Sequence, residues 1–244
     1  MFFNPLEQFD ISILMYLANT NLALTNISVT TFINLIFIFL FLYHGQPKLK
    51  CNTLSFILIF FFNFIYSLFK DSISLKKYSS ILLFFYLFLF IFISNLFGMV
   101  PYSITITSHL ILTLYLSFSF FIGNNIIGIL YHKEKYFVLF LPEGIPLAII
   151  PALILIEYIS YFSKIFSLAI RLFANMMAGH ILLKILIGFS WSLFTNSFLT
   201  IVFGLAPFII VFLVIGLEFA IAFLQAYVFT ILLIIYFNDV INTH

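Results

Sequence analysis

The chain has 244 residues, 64% of them hydrophobic and only 7% charged, with a formal net charge of +2 and a mean hydropathy of +1.25. Too little polar surface is available to cover a soluble globule of that size, so a bilayer must be the solvent. The weak positive balance is scattered among apolar segments, which argues against a nucleic-acid partner, and the lone Cys51 rules out an intrachain disulfide or a cysteine metal site.

From the N-terminus, MFFNPLEQFD holds two acids and no base. It is unlike the cationic start of a secretory or import signal and predicts a mature chain that begins near Met1. A palette of 37 Phe and 13 Tyr against 9 Gly and 7 Pro favours residues with AT-rich codons, as in an organelle genome. The apolar runs that follow approach or exceed the roughly 20 residues needed to cross about 30 Å of hydrocarbon. Runs such as 81–93 are apolar on every side, which suits helices and not barrel strands, whose polarity alternates with period two. A first span is expected over 27–43, extended by 22–24 and closed by the breaker His44-Gly45-Gln46-Pro47. The stretch 53–69, apolar apart from Asn63 and a few hydroxyls, suits a span or a helix lying in the interface, and the interfacial reading is preferred. Further spans are expected over 79–97, ended by Gly98-Met99-Val100-Pro101, and over 109–131, ended by His132-Lys133-Glu134-Lys135. With 53–69 in the interface, Lys48, Lys50, Lys70, Lys76, Lys77, Lys133 and Lys135 all fall on one side. That basic side is the side of synthesis, and the N-terminus lies opposite.

The last third differs. From 151 to 192 one apolar tract carries isolated ionisable groups without a convincing stop, and a second tract, 198–237, follows the polar turn Thr195-Asn196-Ser197. About 42 helical residues would reach roughly 63 Å, twice the hydrocarbon thickness. Either the tract breaks, near Gly179 or Gly188, or it runs strongly tilted against a protein partner. Two long slanting helices in a hairpin are preferred. The expected fold is therefore an all-α membrane protein forming one integral membrane domain over 1–244. An N-terminal span, an interfacial helix and two further spans occupy 1–147, and a long tilted two-helix hairpin occupies 148–244.

Ionisable groups inside lipid-length segments cost about 2.5–3.5 kcal/mol each on insertion scales, so each is a functional candidate. On a regular helix, Glu157, Ser160, Lys164, Ser167, Arg171, Asn175 and Ala178 fall within about 40° of one another's mean direction. A hydrogen-bonding packing face would explain Ser160, Ser167 and Asn175, but not Arg171, the chain's one arginine, held far from either end of the tract. The second tract carries Glu218, Gln225 and Asp239. An antiparallel turn centred near 198 brings Arg171 level with Gln225, His180 with Glu218, and Glu157 with Asp239, supplying partners that buried polar groups need. His180 lies on the opposite side of the helix from Arg171, so a direct contact with Glu218 would require a local break, a bend or a bridging water. A titrating His180–Glu218 pair is favoured over a merely hydrogen-bonded histidine. Lys184 reads as a snorkelling side chain, and Lys164 as another or as a modulator of Arg171. The five histidines, at 44, 109, 132, 180 and 244, include no two on one face of a single span. Bis-histidine haem is thus disfavoured, and no cofactor is expected.

These residues resemble subunit a of the F-type rotary ATP synthase, of mitochondrial type. The resemblance rests on Asn4-Pro5-Leu6-Glu7-Gln8-Phe9, SNLFGMVPYSITITSH at 94–109, EYISYFSKIFSLAIRLFANMMAGH at 157–180 and LEFAIAFLQAYVF at 217–229. It implies a non-catalytic stator subunit whose arginine faces the carboxylates of a rotating c-ring, reached by two offset aqueous half-channels. Carried over, Arg171 matches that arginine, Asn175 and Gln225 its polar neighbours, His180, Glu218 and Asn95 the inlet, and Glu157 and Asp239 the outlet. It further implies peripheral-stalk and other membrane subunits as partners, and the mitochondrial inner membrane as the site. Lys164 departs from relatives with an uncharged residue or arginine there, and 132–147 carries no family motif. Two rivals have distinct signatures: a secondary transporter would be expected to show internal repeats, which are absent, and a non-conducting anchor would tolerate Glu218→Gln.

Overall fold

The structure is a computed structural model. It describes residues 9–16, 23–44, 53–72, 80–100, 103, 105–133, 136, 150–196 and 198–241. The 4–8 part of the N-terminal motif, the breaker at 45–47, Cys51, the lysines at 48, 50, 76, 77 and 135, most of 132–147 and Ser197 lie outside them. Six helices dominate: α1 (Asn26–His44), α2 (Thr53–Ser72), α3 (Ile81–Gly98), α4 (Leu110–His132), α5 (Ile150–Asn196) and α6 (Phe198–Ile241). All six are long and apolar enough to cross a membrane. Side chains such as Ile111, Phe39 and Trp191 stand 80%, 67% and 70% exposed, a surface that only lipid would tolerate in such quantity. The chain is an all-α membrane protein.

One element was not expected. Before α1, β1 (Ile13–Tyr16) and β2 (Ala23–Thr25) pair antiparallel, with an irregularity between Ile13 and Met15. The hairpin is joined to α1 through Asn26, whose amide donates to Ser12 O at 3.1 Å and whose Nδ2 donates to Asp10 O at 3.0 Å. Thr25 and Ser28 then exchange backbone-to-hydroxyl bonds of 3.0 and 3.4 Å. This reciprocal capping satisfies two amides that the first helical turn would strand.

The chain divides into two compact units, to both of which α3, α5 and α6 contribute. Unit 1 comprises Met1–His44, Leu89–His109 and Leu172–Ala226. In it the end of α3 is held by Ser103, whose hydroxyl donates to Phe97 O, Gly98 O and Val100 O at 2.5, 3.3 and 2.8 Å. Backbone bonds from Val100 N to Phe97 O and from Ser103 N to Val100 O, at 3.2 and 3.1 Å, reinforce this closure of the helix C-terminus. A buried 3-10 turn, Ile106–Ser108, follows. Here α5 and α6 run antiparallel, with Asn175 opposite Gln225, Gly179 against Glu218 and Phe194 against Phe208.

Unit 2 comprises Gly45–Phe88, Leu110–Arg171 and Tyr227–His244. Its interior is a ladder of rings: Phe62 on Phe85 at 5.4 Å, Phe61 on Phe88 at 5.6 Å, Phe69 on Phe84 at 5.9 Å and Phe84 on Phe237 at 5.5 Å. Edge and tilted geometries of this kind suit the ring quadrupole. The buried face of α4 is instead small and polar, with Thr113, Ser117, Asn124 and Gly128. Without a hydrophobic drive between helices in lipid, small residues permit the close approach that van der Waals attraction needs. Thr113 and Ser117 satisfy their hydroxyls by donating to the carbonyls three residues back.

Of the two alternatives for the 151–192 tract, the unbroken one holds, as preferred: α5 is one helix of 47 residues and α6 one of 44. Gly188 has open space beside it, and Gly179 is a packing position. Pro207 sits inside α6, which membrane helices tolerate because other groups re-satisfy the freed backbone. At 1.5 Å per residue these helices reach roughly 65–70 Å, so neither stands upright across about 30 Å of hydrocarbon.

Candidate functional site

Helix α5 explains the placement of its polar groups. The buried side of its middle third is Ile165, Leu168, Ala169, Leu172 and Met176. A different face, Glu157, Ser160, Lys164, Ser167, Arg171, Asn175 and Ala178, is exposed at every position. This row shares one face because its members recur at three- and four-residue intervals. A guanidinium exposed midway along an apolar helix cannot shed its proton to lower the cost. It therefore calls for a counter-charge or a polar partner.

In unit 1, His180 and Glu218 line one cavity of about 300 Å³, together with Met99, Asn175, Met176, Gly179 and Leu217 among others. The expected level match of His180 and Glu218 is present, and α5 remains helical through it. Gly179 makes room for the acid: a Cβ there would stand 2.5 Å from Glu218 Oε1. Asn95, fully buried, donates to Ala222 O at 3.4 Å, one turn from Glu218 along α6. Asn175 Nδ2 donates to Gln225 Oε1 at 3.0 Å, which gives Gln225 its partner one turn beyond Arg171 along α5.

The same unit contains an excess of unpaired polar atoms. Asn34 Oδ1, Asn95 Oδ1, Thr105 Oγ1, Thr107 Oγ1, His109 Nε2, Glu218 Oε1 and Gln225 Nε2 are buried without a hydrogen-bond partner, and every one belongs to unit 1. Each such group costs about 1–3 kcal/mol, so together they would rival the roughly 5–15 kcal/mol net stability of a whole domain. Buried water is the ordinary remedy where several polar atoms converge.

In unit 2, Glu157 and Asp239 are both exposed. Asp239 lies within electrostatic reach of Lys164, Tyr161 and Tyr236. The Lys164 ammonium sits over the Tyr236 ring, 5.5 Å from its centroid, and Tyr236 also feels Arg171. Tyr136 and Tyr161 both donate to Asn125 Oδ1, the latter at 3.2 Å, a network that the sequence alone did not single out. Burial raises the Tyr136 phenol above its ordinary pKa, so it remains a donor throughout the working range. The cavity beside Tyr161 and Tyr236 is only about 10 Å³, room for one water at most. Among the described residues no three His, Cys, Asp or Glu side chains are grouped to hold a metal.

A helical membrane chain of this kind, with a cation on the open face of its longest helix and an acid against a cavity, falls in the class of polytopic proteins that keep ionisable groups within their spans. The chain belongs to the ATP synthase A chain family, whose sequence profile matches residues 25–238. It is 44% identical to the ATP synthase subunit a of Chondrus crispus over 248 residues, covering 99% of this chain and 97% of that one. The subunit a of Marchantia polymorpha is 43% identical over 250 residues, with 99% of each chain covered. That of Acanthamoeba castellanii is 41% identical over 251 residues, with 100% of this chain and 99% of that one covered.

Proposed function

We propose that this chain is the proton-conducting stator subunit of an F-type ATP synthase, performing no bond chemistry itself and passing protons to and from the carboxylates of a c-ring. The carrying observation is the row on α5, with Arg171 in it, whose every member is exposed among the described residues. A fixed cation favours the ionised form of any carboxylate that passes, by opposite-charge stabilisation. A rotor acid thus surrenders its proton on approaching Arg171 and reloads after leaving it, and protons cannot leak straight through. Inlet duty falls to Glu218, His180 and Asn95, and outlet duty to Glu157 and Asp239. Asn175 and Gln225 flank the arginine, and Lys164 and Ser160 modulate the outlet side. Each charge crossing is worth about 2.3 kcal/mol per 100 mV, so several crossings must be summed through rotation for one phosphoanhydride bond.

The proposed setting is the mitochondrial inner membrane, beside the c-ring, a peripheral stalk and other membrane subunits. In this arrangement α2 lies in the interface, which keeps the early lysines on one side. Arg171→Lys tests the reading: coupled proton flux in membrane vesicles should vanish while the complex still assembles, because a buried ammonium can lose its charge. Normal ATP-driven pumping by that variant would refute it.

A further inference from the structure

Unit 1 holds polar groups that neither the arginine row nor the His180–Glu218 pair uses. Thr105, Thr107 and Ser108 are buried to 3%, 5% and 3% exposure, on a segment that packs against α1. Ser108 is satisfied, its hydroxyl donating to Thr105 O at 2.7 Å. Hydroxyls on helices elsewhere in the chain are quieted in the same way, as at Thr30 and Thr31 on α1, which donate three residues back. Thr105 and Thr107 are not, and with His109 Nε2 they present three unpartnered buried atoms within five residues. Thr105 and His109 are extended, so their side chains lack the helical carbonyls that would absorb them.

Thr105, the first of these, stands near the wall of the Glu218 cavity. A Cβ at Gly98 would meet both the Thr105 methyl and, at 3.2 Å, Met176 Cε, and Met176 lines the cavity. The barrier is thus a thioether methyl, the most adaptable of apolar groups. Burial lowers the pKa of His109, which leaves a neutral ring with one nitrogen to donate and one to accept.

We propose that residues 105–109 form the outer wall of the proton inlet, where Thr105 Oγ1, Thr107 Oγ1 and His109 Nε2 hold a file of water that feeds Glu218 past Met176. His109 acts as a positioning residue for that water. The proposal rests on the inlet reading of Glu218 given above.

The test reads ATP-driven proton pumping and the amount of assembled complex in membrane vesicles. Thr105→Val with Thr107→Val keeps shape and removes both hydroxyls. Removing stranded hydroxyls from a dry core is neutral or favourable, so a structural role predicts unchanged pumping. The water file predicts a severalfold loss with normal assembly, and His109→Gln should retain more pumping than His109→Leu, because an amide still binds water. Parental pumping in the double valine chain, or equal pumping in the two His109 variants, overturns the proposal. Should the double variant not assemble, Thr105→Cys in a Cys51→Ser chain decides the matter with a small water-soluble thiosulfonate: modification supports the file, and its absence overturns it. Glu218→Gln is measured in parallel. If it pumps normally, the inlet reading itself falls; if it is inactive while the valine chain pumps fully, only the water file falls.

Discussion

Units 1 and 2 are built from the same palette and, in part, from the same helices, yet their interiors solve opposite problems. Unit 2 is closed by rings, from Phe62–Phe85 to Phe84–Phe237, and its polar atoms are tied down in pairs such as Tyr161–Asn125 and Lys164–Tyr236. Among its described residues, unit 1 leaves seven buried polar atoms unpaired and holds a cavity of about 300 Å³. The division falls immediately after Arg171 on α5 and one residue after Gln225 on α6. A dry, well-packed interior contributes stability, whereas an under-satisfied one accommodates water and protons, and a single apolar sequence supplies both by placing its few polar residues unevenly.

Two glycines break or sharpen this contrast. The largest effect is expected at Gly179→Ala, where the new methyl displaces the Glu218 carboxyl. Pumping per assembled complex should fall by roughly tenfold or more, since misplacing a reacting group by about 1 Å can cost 10²-fold, while complex yield stays near normal on native gels. Gly128→Ala should do the reverse. Its Cβ would collide with the Tyr136 ring and stand 2.7 Å from Val240 Cγ1. Overpacking costs typically about 1–3 kcal/mol, which would show as reduced yield and a lower melting midpoint with unchanged pumping per complex. If Gly128→Ala lowered the rate per complex instead, the ring-packed interior of unit 2 would have to be coupled to the outlet carboxylates rather than serve stability alone. Smallest is Lys164→Met, which removes a cation–π contact worth about 0.5–1 kcal/mol at exposed sites. Pumping should stay within about threefold of the parent, and a complete loss would make Lys164 an obligatory member of the outlet.

Much of this was legible beforehand, because hydropathy alone dictates where a chain can cross a bilayer. The span expected over 109–131 is α4, Leu110–His132, and the tract from 198 is α6, Phe198–Ile241. The break-or-tilt alternative for α5 was not decidable from sequence, since glycines such as Gly188 permit a bend without requiring one. The shared depth of His180 and Glu218 was legible because ionisable groups in lipid must find company at their own level. Gln225 pairs with Asn175, a partner that residue counting had not selected, since counting resolves depth only to about one turn. The β1–β2 hairpin escaped notice: its strands are four and three residues long, too short for a period-two pattern to stand out. Thr105 and Thr107 also escaped. The alternation of isoleucine and threonine in ITITS hinted at an extended segment with one polar edge, but nothing in the letters indicates that the edge is buried.

Helix α1 is little buried, at 6% of its span, against 61% for α3. Its inward anchor is Asn34, which donates to Ser94 Oγ at 3.2 Å across 60 residues of chain. At synthesis rates of about 5–20 residues per second, the ribosome supplies that serine some 3–12 s after the asparagine. During this interval the amide must reside in the insertion machinery or at the headgroups. Biogenesis of this chain therefore includes a waiting period set by the spacing of two side chains, and an insertase that shelters a half-finished helix would shorten the hazard without touching the finished fold.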